Sequence, residues 1–442
     1  MRGTRRQSRR ARAGGVALAS LVGLVLAGAV LPTAAGAAWT APVTLSAAGQ
    51  NALDPQVAVD PNGNAVFTWR RFDGTKWRIQ ARARSAAGGL GPAQYLSAAG
   101  QSADSSQVAI DTQGDAVFTW RRFDGTKWRI QARTRSAAGV LGPAQNLSAA
   151  GQNASVPQVA VDADGDAVFT WRDGTSSRIQ ARARSAAGVL SPVQNLSAAG
   201  QSAFEPQVGV SPQGKAVFTW ERDSRVQARA RSAAGALGPV QTVSPAGQNA
   251  FDPQVGVAAN GSAVFAWNFW NFNPERATKF VQARARSAAG ALSPVKNIVS
   301  PPIGGGGCGC EFQVAVDPTG DAVFSWEYWA DYFDYPSVQV RARSAAGALS
   351  PIQDLTRRAG DFAGETPQVG MDGAGDAVIT WDRDSGIGAQ VRSAAGALGP
   401  LQAFPGGDAG FHQVAVNGAG DAVLAWRHFD GTNTVIQAAA GP

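Results

Sequence analysis

Two stretches of the chain mix aromatic rings with carboxylates and amides, and these residue types suit recognition chemistry best. They are 268–275 and 327–336, and three of the four tyrosines lie in the second. Ring faces stack on sugars, while nearby oxygens accept hydrogen bonds from hydroxyl groups. The stretches therefore predict a saccharide or peptide site, and the alternative is a hydrophobic cluster that only keeps a long loop ordered. The predicted ligand-binding residues are Phe269, Trp270, Phe272, Tyr328, Trp329, Tyr332, Phe333 and Tyr335.

The same stretches carry carboxylates that can serve as acid and base. Glycoside hydrolysis needs two carboxyl groups about 5–5.5 Å apart for retention, or about 6.5–9.5 Å apart for inversion. Sequence alone sets no such distance, so catalysis stays an alternative to binding and no residue is assigned a catalytic role. The candidates for that alternative are Glu275, Glu327, Asp331 and Asp334.

The only two cysteines, Cys308 and Cys310, close a glycine-rich segment. In an oxidising compartment such a pair favours a local disulfide within one loop. A ring this small constrains few residues, so it stabilises little beyond that loop. A metal site is the alternative, but both histidines, His412 and His428, are about a hundred residues away. The sequence predicts the disulfide, no metal and no cofactor.

A repeat must position these side chains. One motif, Gln-Val followed by a glycine turn and a tryptophan, recurs eight times with a constant offset of 13 residues from Gln to Trp. Each copy alternates apolar and polar residues over four short segments, which is typical of a four-stranded antiparallel unit. Eight units of this kind predict an all-β, eight-bladed β-propeller. The motif tryptophans are Trp69, Trp120, Trp171, Trp220, Trp267, Trp326, Trp381 and Trp426.

The two ends of the repeat array predict a closed ring. The last copy lacks its fourth strand, and the segment 43–50 matches the fourth-strand segment 94–101 of the first copy. An N-terminal strand that completes the last blade removes the exposed sheet edges. We therefore expect one propeller domain over 38–442, and two smaller packed units are the alternative.

Loop lengths separate the two rims of the predicted ring. Connections from strand one to two and from strand three to four keep a constant length. Those from strand two to three and from four to one vary, and they are longest in blades five and six. Loops on a rigid frame carry binding, so function is predicted on this variable rim, at blades five and six.

The first 37 residues predict a secretory signal peptide. Six arginines precede an apolar stretch over 16–30, which is too short to span a membrane, and Ala35-Gly36-Ala37 suits cleavage. Its removal leaves 33 basic against 32 acidic side chains, so the domain is nearly neutral. This balance argues against nucleic-acid binding. We expect an extracellular monomer without membrane insertion, and the few lysines favour a bacterial source.

Paired arginines such as Arg82 and Arg84 recur in six blades, so they are interpreted as scaffold that forms salt bridges to turn acids between blades. The acidic turn 162–166 offers oxygen ligands for a cation. Sister turns carry other residue types, so calcium binding there is only an alternative.

The hairpin 58–66, Ala-Val-Asp-Pro-Asn-Gly-Asn-Ala-Val, resembles the opening of NHL-type propeller blades. The whole repeat resembles secreted bacterial propellers grouped with sialidase-like (BNR-like) repeats. It departs from the sialidase Asp-box, Ser-x-Asp-x-Gly-x-Thr-Trp, because here Gly follows Asp by three residues and Trp by nine. The resemblance implies a propeller fold and says little about activity.

The predicted function is an exported, non-catalytic binding propeller for a glycan or surface polymer. The alternatives are a glycoside-active enzyme that uses carboxylates of the same loops, and a purely structural secreted repeat protein.

Overall fold

The structure is a computed structural model that describes residues 38–273, 276–299, 307–329, 336–356, 365–406 and 410–442. For 271–273, 276–278 and 307–310 it describes the backbone only. Residues 38–442 belong to one compact unit. The predicted signal peptide lies outside the described residues, so it stays a prediction.

The first four blades are built from short antiparallel strands in chain order. The N-terminal strand is β1 (Val43–Thr44). The strands of blades one and two are β2 (Ala52–Val59), β3 (Ala65–Phe72), β4 (Trp77–Arg84), β5 (Gln94–Tyr95), β6 (Ala103–Ile110), β7 (Ala116–Phe123), β8 (Trp128–Arg135) and β9 (Gln145–Asn146). Those of blades three and four are β10 (Ala154–Val161), β11 (Ala167–Asp173), β12 (Arg178–Arg184), β13 (Gln194–Asn195), β14 (Ala203–Val210), β15 (Ala216–Arg222), β16 (Arg225–Arg231) and β17 (Leu237–Thr242).

The other four blades follow the same plan. Those of blades five and six are β18 (Asn249–Val257), β19 (Ala263–Asn273), β20 (Arg276–Arg286), β21 (Lys296–Asn297), β22 (Gly307–Val316), β23 (Ala322–Trp329), β24 (Ser337–Arg343) and β25 (Gln353–Asp354). Those of blades seven and eight are β26 (Glu365–Met371), β27 (Ala377–Arg383), β28 (Gly386–Arg392), β29 (Gln402–Pro405), β30 (Gly410–Val416), β31 (Ala422–Phe429) and β32 (Thr434–Gly441).

The predicted eight-bladed propeller is confirmed. Eight separate sheets each contain four antiparallel strands, in sequence order in seven of them and with β1 beside β32 in the eighth, and innermost strands of successive blades contact each other. Strands two and three pair in a constant register, with Trp69 opposite Gln80 and Trp426 opposite Gln437. Within the described ranges no helix is long and apolar enough to cross a membrane.

The core lies between blades rather than within them. Between blades one and two, Ile79 and Leu96 of the first pack against Phe118 and Trp120 of the second. All eight motif tryptophans are at most 1% exposed. A single sheet cannot bury such rings on its own, so each blade is stabilised by its neighbours.

Both ends of the ring meet in blade eight, as predicted. Val43 pairs with Ala438 and Thr44 with Gln437, which places β1 at the outer edge of the last sheet. The indole of Trp39 packs edge-on against Phe404, with ring centroids 5.2 Å apart. The chain thereby closes its own ring.

In blade one the fourth strand covers only two residues of the segment 94–101 that the sequence assigns to it. In blade one only Gln94 and Tyr95 pair with β4. Beyond them the Ile79 amide donates to the Ser97 hydroxyl at 2.9 Å, so a side chain replaces the next rung of the ladder. Pro92 on the other side has no amide proton. The outer edge is therefore blunt, which hinders pairing with another sheet.

The prediction that the repeated arginines form salt bridges to turn acids is wrong. Arg82 donates to the carbonyl oxygens of Gly91 and Leu45, and the latter belongs to blade eight. Arg135 donates to the Gln94 side chain of the preceding blade. Strand ends expose unpaired carbonyls, and a guanidinium with five donors satisfies several at once. These arginines are scaffold, as expected, but they act through neutral partners.

Candidate functional site

The long insert of blade five is an extended hairpin rather than a loop. Strands β19 and β20 each have 11 residues, while the equivalent strands elsewhere have seven or eight. Their pairing continues past the motif tryptophan, with Phe269 opposite Phe280 and Trp270 opposite Lys279. The two phenyl rings stack at 5.9 Å, and the Lys279 ammonium lies 5.5 Å from the Trp270 ring centroid. The hairpin thus carries half-buried aromatic rings beyond the variable rim.

Blade six contributes a second aromatic strand end beside it. Tyr328 and Trp329 close β23, and both are half-buried. The Trp329 indole donates a hydrogen bond to the carboxylate of Glu327, which is only 8% exposed. Lys279 of blade five is close enough to favour the charged form of Glu327. Tyr328 packs against the core between blades five and six, and Trp270 shares the face of β19 that carries Val264 and Ala266 of that core. Phe269 packs instead against the core between blades four and five.

The remaining sequence-predicted residues are only partly placed. Phe272 pairs with Ala277 through its backbone, and its side chain is not described. Cys308 and Cys310 lie in β22, with Cys308 opposite Tyr328, so the predicted cysteine loop is a strand. The cysteine side chains are not described, so the disulfide stays a prediction. Predicted residues outside the described ranges are Glu275, Asp331, Tyr332, Phe333, Asp334 and Tyr335.

A strained backbone conformation recurs around the opening of the ring on the variable rim, which we call the mouth. Each described blade has a β-bulge near the start of strand one, for example between Ser155 and Gln158. Left-handed conformations cost a non-glycine residue about 1–2 kcal/mol, and strained residues cluster at functional sites. Seven bulges place a non-glycine residue at φ between 45° and 55°: Asp54, Ser105, Val156, Glu205, Asp252, Thr366 and Phe411.

Charge is segregated around this mouth. The residue after the motif tryptophan is Arg70, Arg121, Arg172 and Arg427 in blades one, two, three and eight. In blades four to seven the same position holds Glu221, Asn268, Glu327 and Asp382. Although the domain as a whole is nearly neutral, one half of this mouth is basic and the other half is acidic. We call the carboxylates of the acidic half the acidic arc: Glu205, Glu221, Asp252, Glu311, Glu327, Glu365 and Asp382.

The acidic arc contains carboxyls with raised pKa values. Burial, followed by repulsion from Asp252 and Glu205, raises the pKa of Glu221 to about 7. Burial also raises the pKa of Glu327 to about 7, and the charges of Glu365 and Glu311 add to this rise. Both groups thus exchange protons near neutral pH, as general acids and bases do.

Two other members of the arc also have raised pKa values. Burial is the first cause that raises the pKa of Glu205 and that of Glu311, although both side chains remain accessible to water. Repulsion from neighbouring carboxylates, Asp252 for Glu205 and Asp382 for Glu311, acts in the same direction.

A buried histidine lies behind the arc. His412 is 1% exposed, and its Nδ1 lies 2.8 Å from Asp382. The Thr366 hydroxyl donates to the other oxygen of Asp382 at 2.6 Å. Asp382 is therefore held by two neighbours. No three His, Cys, Asp or Glu side chains of the described ranges are arranged to hold a metal ion.

Sequence reasoning found Glu327 but missed the rest of the acidic arc and His412. Loop length drew attention to blades five and six, whereas Glu221 follows the motif tryptophan in one of the shortest connections. Comparing the repeats position by position at the residue after Trp would have revealed the change from arginine to acid. The β-bulge residues with positive φ could not have been found by such a comparison, because their residue types differ from blade to blade.

Comparison with known proteins adds fold-level likeness only. No family model matches the chain, and no curated protein matches it. A prolyl endopeptidase structure matches at 12% identity and a TM-score of 0.50, over 86% of this chain and 55% of that chain. This chain therefore spans about half the length of that protein.

Two further solved structures are similar in fold. A polysaccharide lyase, Uly1, matches at 10% identity and a TM-score of 0.48, over 76% of this chain and 88% of that one. The GH93 α-L-arabinofuranosidase of Fusarium graminearum, in complex with arabinobiose, matches at 9% and 0.43, over 91% and 97%. At such identities the likeness concerns the propeller fold, and the NHL-type and sialidase-like resemblance stays a prediction.

Proposed function

We propose that this protein is an exported, non-catalytic propeller that binds a glycan on the variable rim of blades five and six. The observation that carries the proposal is that Trp270 of blade five and Tyr328 of blade six lie at the boundary between these two blades, and Tyr328 stands next along β23 to Glu327 and Trp329. Each ring is half-buried, so one part is fixed by the protein and another part faces outward.

This arrangement suits a polyhydroxyl ligand. Aromatic faces bind the apolar faces of sugar rings, and carboxylates accept hydrogen bonds from hydroxyl groups. Phe280 stacks on Phe269 across the two strands of the hairpin, so these rings are already ordered before a ligand binds. Glu205 and Glu221, one blade away, extend the row of acceptors along the mouth.

The test is a glycan and cell-wall polymer binding screen on the purified protein, followed by Trp270→Ala and Trp329→Ala. We expect either substitution to weaken retention by the bound polymer at least tenfold, with little change in the thermal transition. Phe429→Ala is the matched control, because Phe429 is an exposed aromatic residue at the strand-two end of blade eight. Equal retention of all variants would refute the proposal and leave the purely structural reading.

A second candidate function is cleavage of the bound glycan by acid–base catalysis. The observation that favours it is Glu327, whose pKa is about 7 and which is influenced by the neighbouring carboxyls Glu365 and Glu311. A protonated carboxyl can donate to a leaving group, and an ionised neighbour can act as base. Reducing-end release from polymers retained in the screen would establish it. Glu327→Gln should then abolish release while binding persists, and intact polymer after incubation with the unmodified protein would remove this candidate.

A further inference from the structure

Blades one and two carry the same hairpin twice. Residues 69–82 and 120–133 are identical over 14 positions, Trp-Arg-Arg-Phe-Asp-Gly-Thr-Lys-Trp-Arg-Ile-Gln-Ala-Arg. The copies also share their geometry. Arg70 lies 4.8 Å from the ring centroid of Trp77, and Arg121 lies 4.2 Å from that of Trp128. Two adjacent blades thus present two equivalent basic and aromatic surfaces on the variable rim.

Each copy sets two arginines directly opposite each other. Arg71 pairs across the strands with Arg78, and Arg122 pairs with Arg129. Like charges at directly opposite positions destabilise a sheet. The exposed Lys76 and its counterpart Lys127 add further positive charge at each hairpin turn. The fold keeps this unfavourable arrangement in both copies.

Nearby acids do not neutralise these pairs. Asp73 lies 3.9 Å from Arg78, and its Oδ1 accepts the amides of Thr75 and Lys76, which keeps its pKa low. Asp124 repeats the pattern in the second copy, 3.6 Å from Arg129. The arrangement leaves a surplus of cations in each copy.

Two acids pair with the ring-stacked arginines. Asp104 accepts Nε and Nη2 of Arg121 with both oxygens, each at 2.8 Å. Asp54 pairs with Arg70 in the first copy. Because successive strand residues point to opposite faces, these ion pairs lie on the other face of each hairpin from Arg71 and Arg122. Arg71 and Arg122 offer the same planar set of donors to a carboxylate.

Blade three provides an internal comparison. There the position of Arg71 and Arg122 is occupied by Asp173, which stands opposite Arg178. The strand pair forms in the same register with opposite charges. The arginine at this position is therefore not required by the fold.

We propose that blades one and two form a second binding surface, for an anionic polysaccharide that carries carboxylates along its chain. One carboxylate lies at each opposed arginine pair, and a single polymer contacts both copies. This surface is separate from the aromatic strand ends of blades five and six and does not rest on their function.

The test measures binding of sodium polygalacturonate to the purified protein, at about 50 mM and about 200 mM salt, with neutral dextran as the control polymer. We expect binding to polygalacturonate only, and a loss of at least tenfold at the higher salt, because counterions are released. The combined variant Arg71→Asp with Arg122→Asp copies the pair of blade three, so it should keep the thermal transition. It should lose binding at least a hundredfold.

The single variants test whether both copies hold one chain. A polymer that spans two sites binds far more tightly than either site alone, so Arg71→Asp by itself should remove most of the affinity for long polymers. It should weaken binding of a digalacturonate by about twofold only. Val189→Ser, which changes an exposed residue on the opposite rim, should leave polygalacturonate binding unchanged.

Three results would overturn the proposal. They are an absence of binding by the unmodified protein, equal binding by the combined variant, and tighter binding of single-stranded or duplex DNA than of polygalacturonate at the same salt. The last result would identify a nucleic-acid surface instead.

Discussion

Gln94 joins blade one to blade two through both ends of its side-chain amide. Its Oε1 accepts Arg135 Nε at 3.0 Å, and its Nε2 donates to the Gly139 carbonyl at 2.9 Å. The same arrangement recurs at four other blade boundaries, through Gln145, Gln194, Gln241 and Gln353. The boundary between blades five and six differs, because Lys296 occupies the glutamine position in β21.

Lys296→Gln should therefore stabilise the ring. The new amide can reach Arg343 and the Gly347 carbonyl as its counterparts do, and a hydrogen bond contributes about 0.5–1.5 kcal/mol. We expect the free energy of unfolding to rise by about 1 kcal/mol in a denaturant titration. Lys296→Ala, which removes the charge without adding the amide, is the control. A gain of equal size in both variants would show that loss of the charge is responsible.

Glu327 should make the protein less stable as pH rises through neutrality. Burial raises its pKa in the folded state to about 7, above the ordinary glutamate value of 4.5. The folded state therefore holds a proton that the unfolded state releases between these pH values, so stability falls as pH increases across that window. Glu327→Gln should be equivalent to the parent below about pH 4.5 and more stable by up to about 3 kcal/mol above pH 7.

Thermal unfolding of both proteins at pH values from 4 to 8 checks this expectation. Asp164→Asn is the control, because Asp164 is an exposed carboxyl of the opposite rim. Parallel stability curves for the parent and Glu327→Gln would contradict it.

The side chain of Val156, in the bulge of blade three, should contribute nothing to the stability of the fold. It is a β-branched residue at φ 52°, where glycine avoids the steric cost. We expect Val156→Gly to leave the free energy of unfolding unchanged or to raise it by up to about 1 kcal/mol. Val159→Gly, in the regular part of the same strand, should lower it by about 1 kcal/mol or more. A larger loss from Val156→Gly than from Val159→Gly would show that the bulge is not strained.

Gly388 should not tolerate the glutamine that its counterparts in other blades carry. It stands opposite Trp381 in blade seven, and a Cβ atom there would lie 2.7 Å from the indole Cε2. Overpacking of this kind costs about 1–3 kcal/mol. Gly388→Ala should therefore lower the midpoint of thermal unfolding, and an unchanged midpoint would mean that the Trp381 ring relocates. Gly418→Ala, with no atom within 4 Å of the added carbon, is the control.

The ring was predictable because the regularly repeated motif tryptophans indicate how neighbouring blades pack against each other. A constant spacing from Gln56 to Trp69, repeated seven more times, leaves strands one and two no freedom in register. Closure was equally clear, since the segment at Val43 repeats the one at Gln94. The length of strand four was not predictable. It depends on whether the Ser97 hydroxyl accepts the hydrogen bond of a strand-three amide that would otherwise pair with the backbone of strand four.

The acidic arc was only partly predictable for a different reason. Glu221 and Glu327 belong to separate repeats, and their raised pKa values arise from burial in the assembled ring. Loop length pointed to the correct rim and to Glu327, yet it carried no information on residues beside the motif tryptophan. The opposed pair of Arg71 and Arg78 likewise depends on register, which the sequence gives only once the hairpin is known.

Pairing of Val43 with Ala438 sets the order of events in folding. Every other blade can form from a continuous stretch of about fifty residues, but the last sheet needs strands from both ends of the repeat array. Contacts so distant in sequence close slowly. An incomplete ring leaves β32 as an open edge, the state most prone to aggregation. Once β1 docks, the first and last strands of the ring are held in one sheet, so blade eight must open before either strand can separate from the domain.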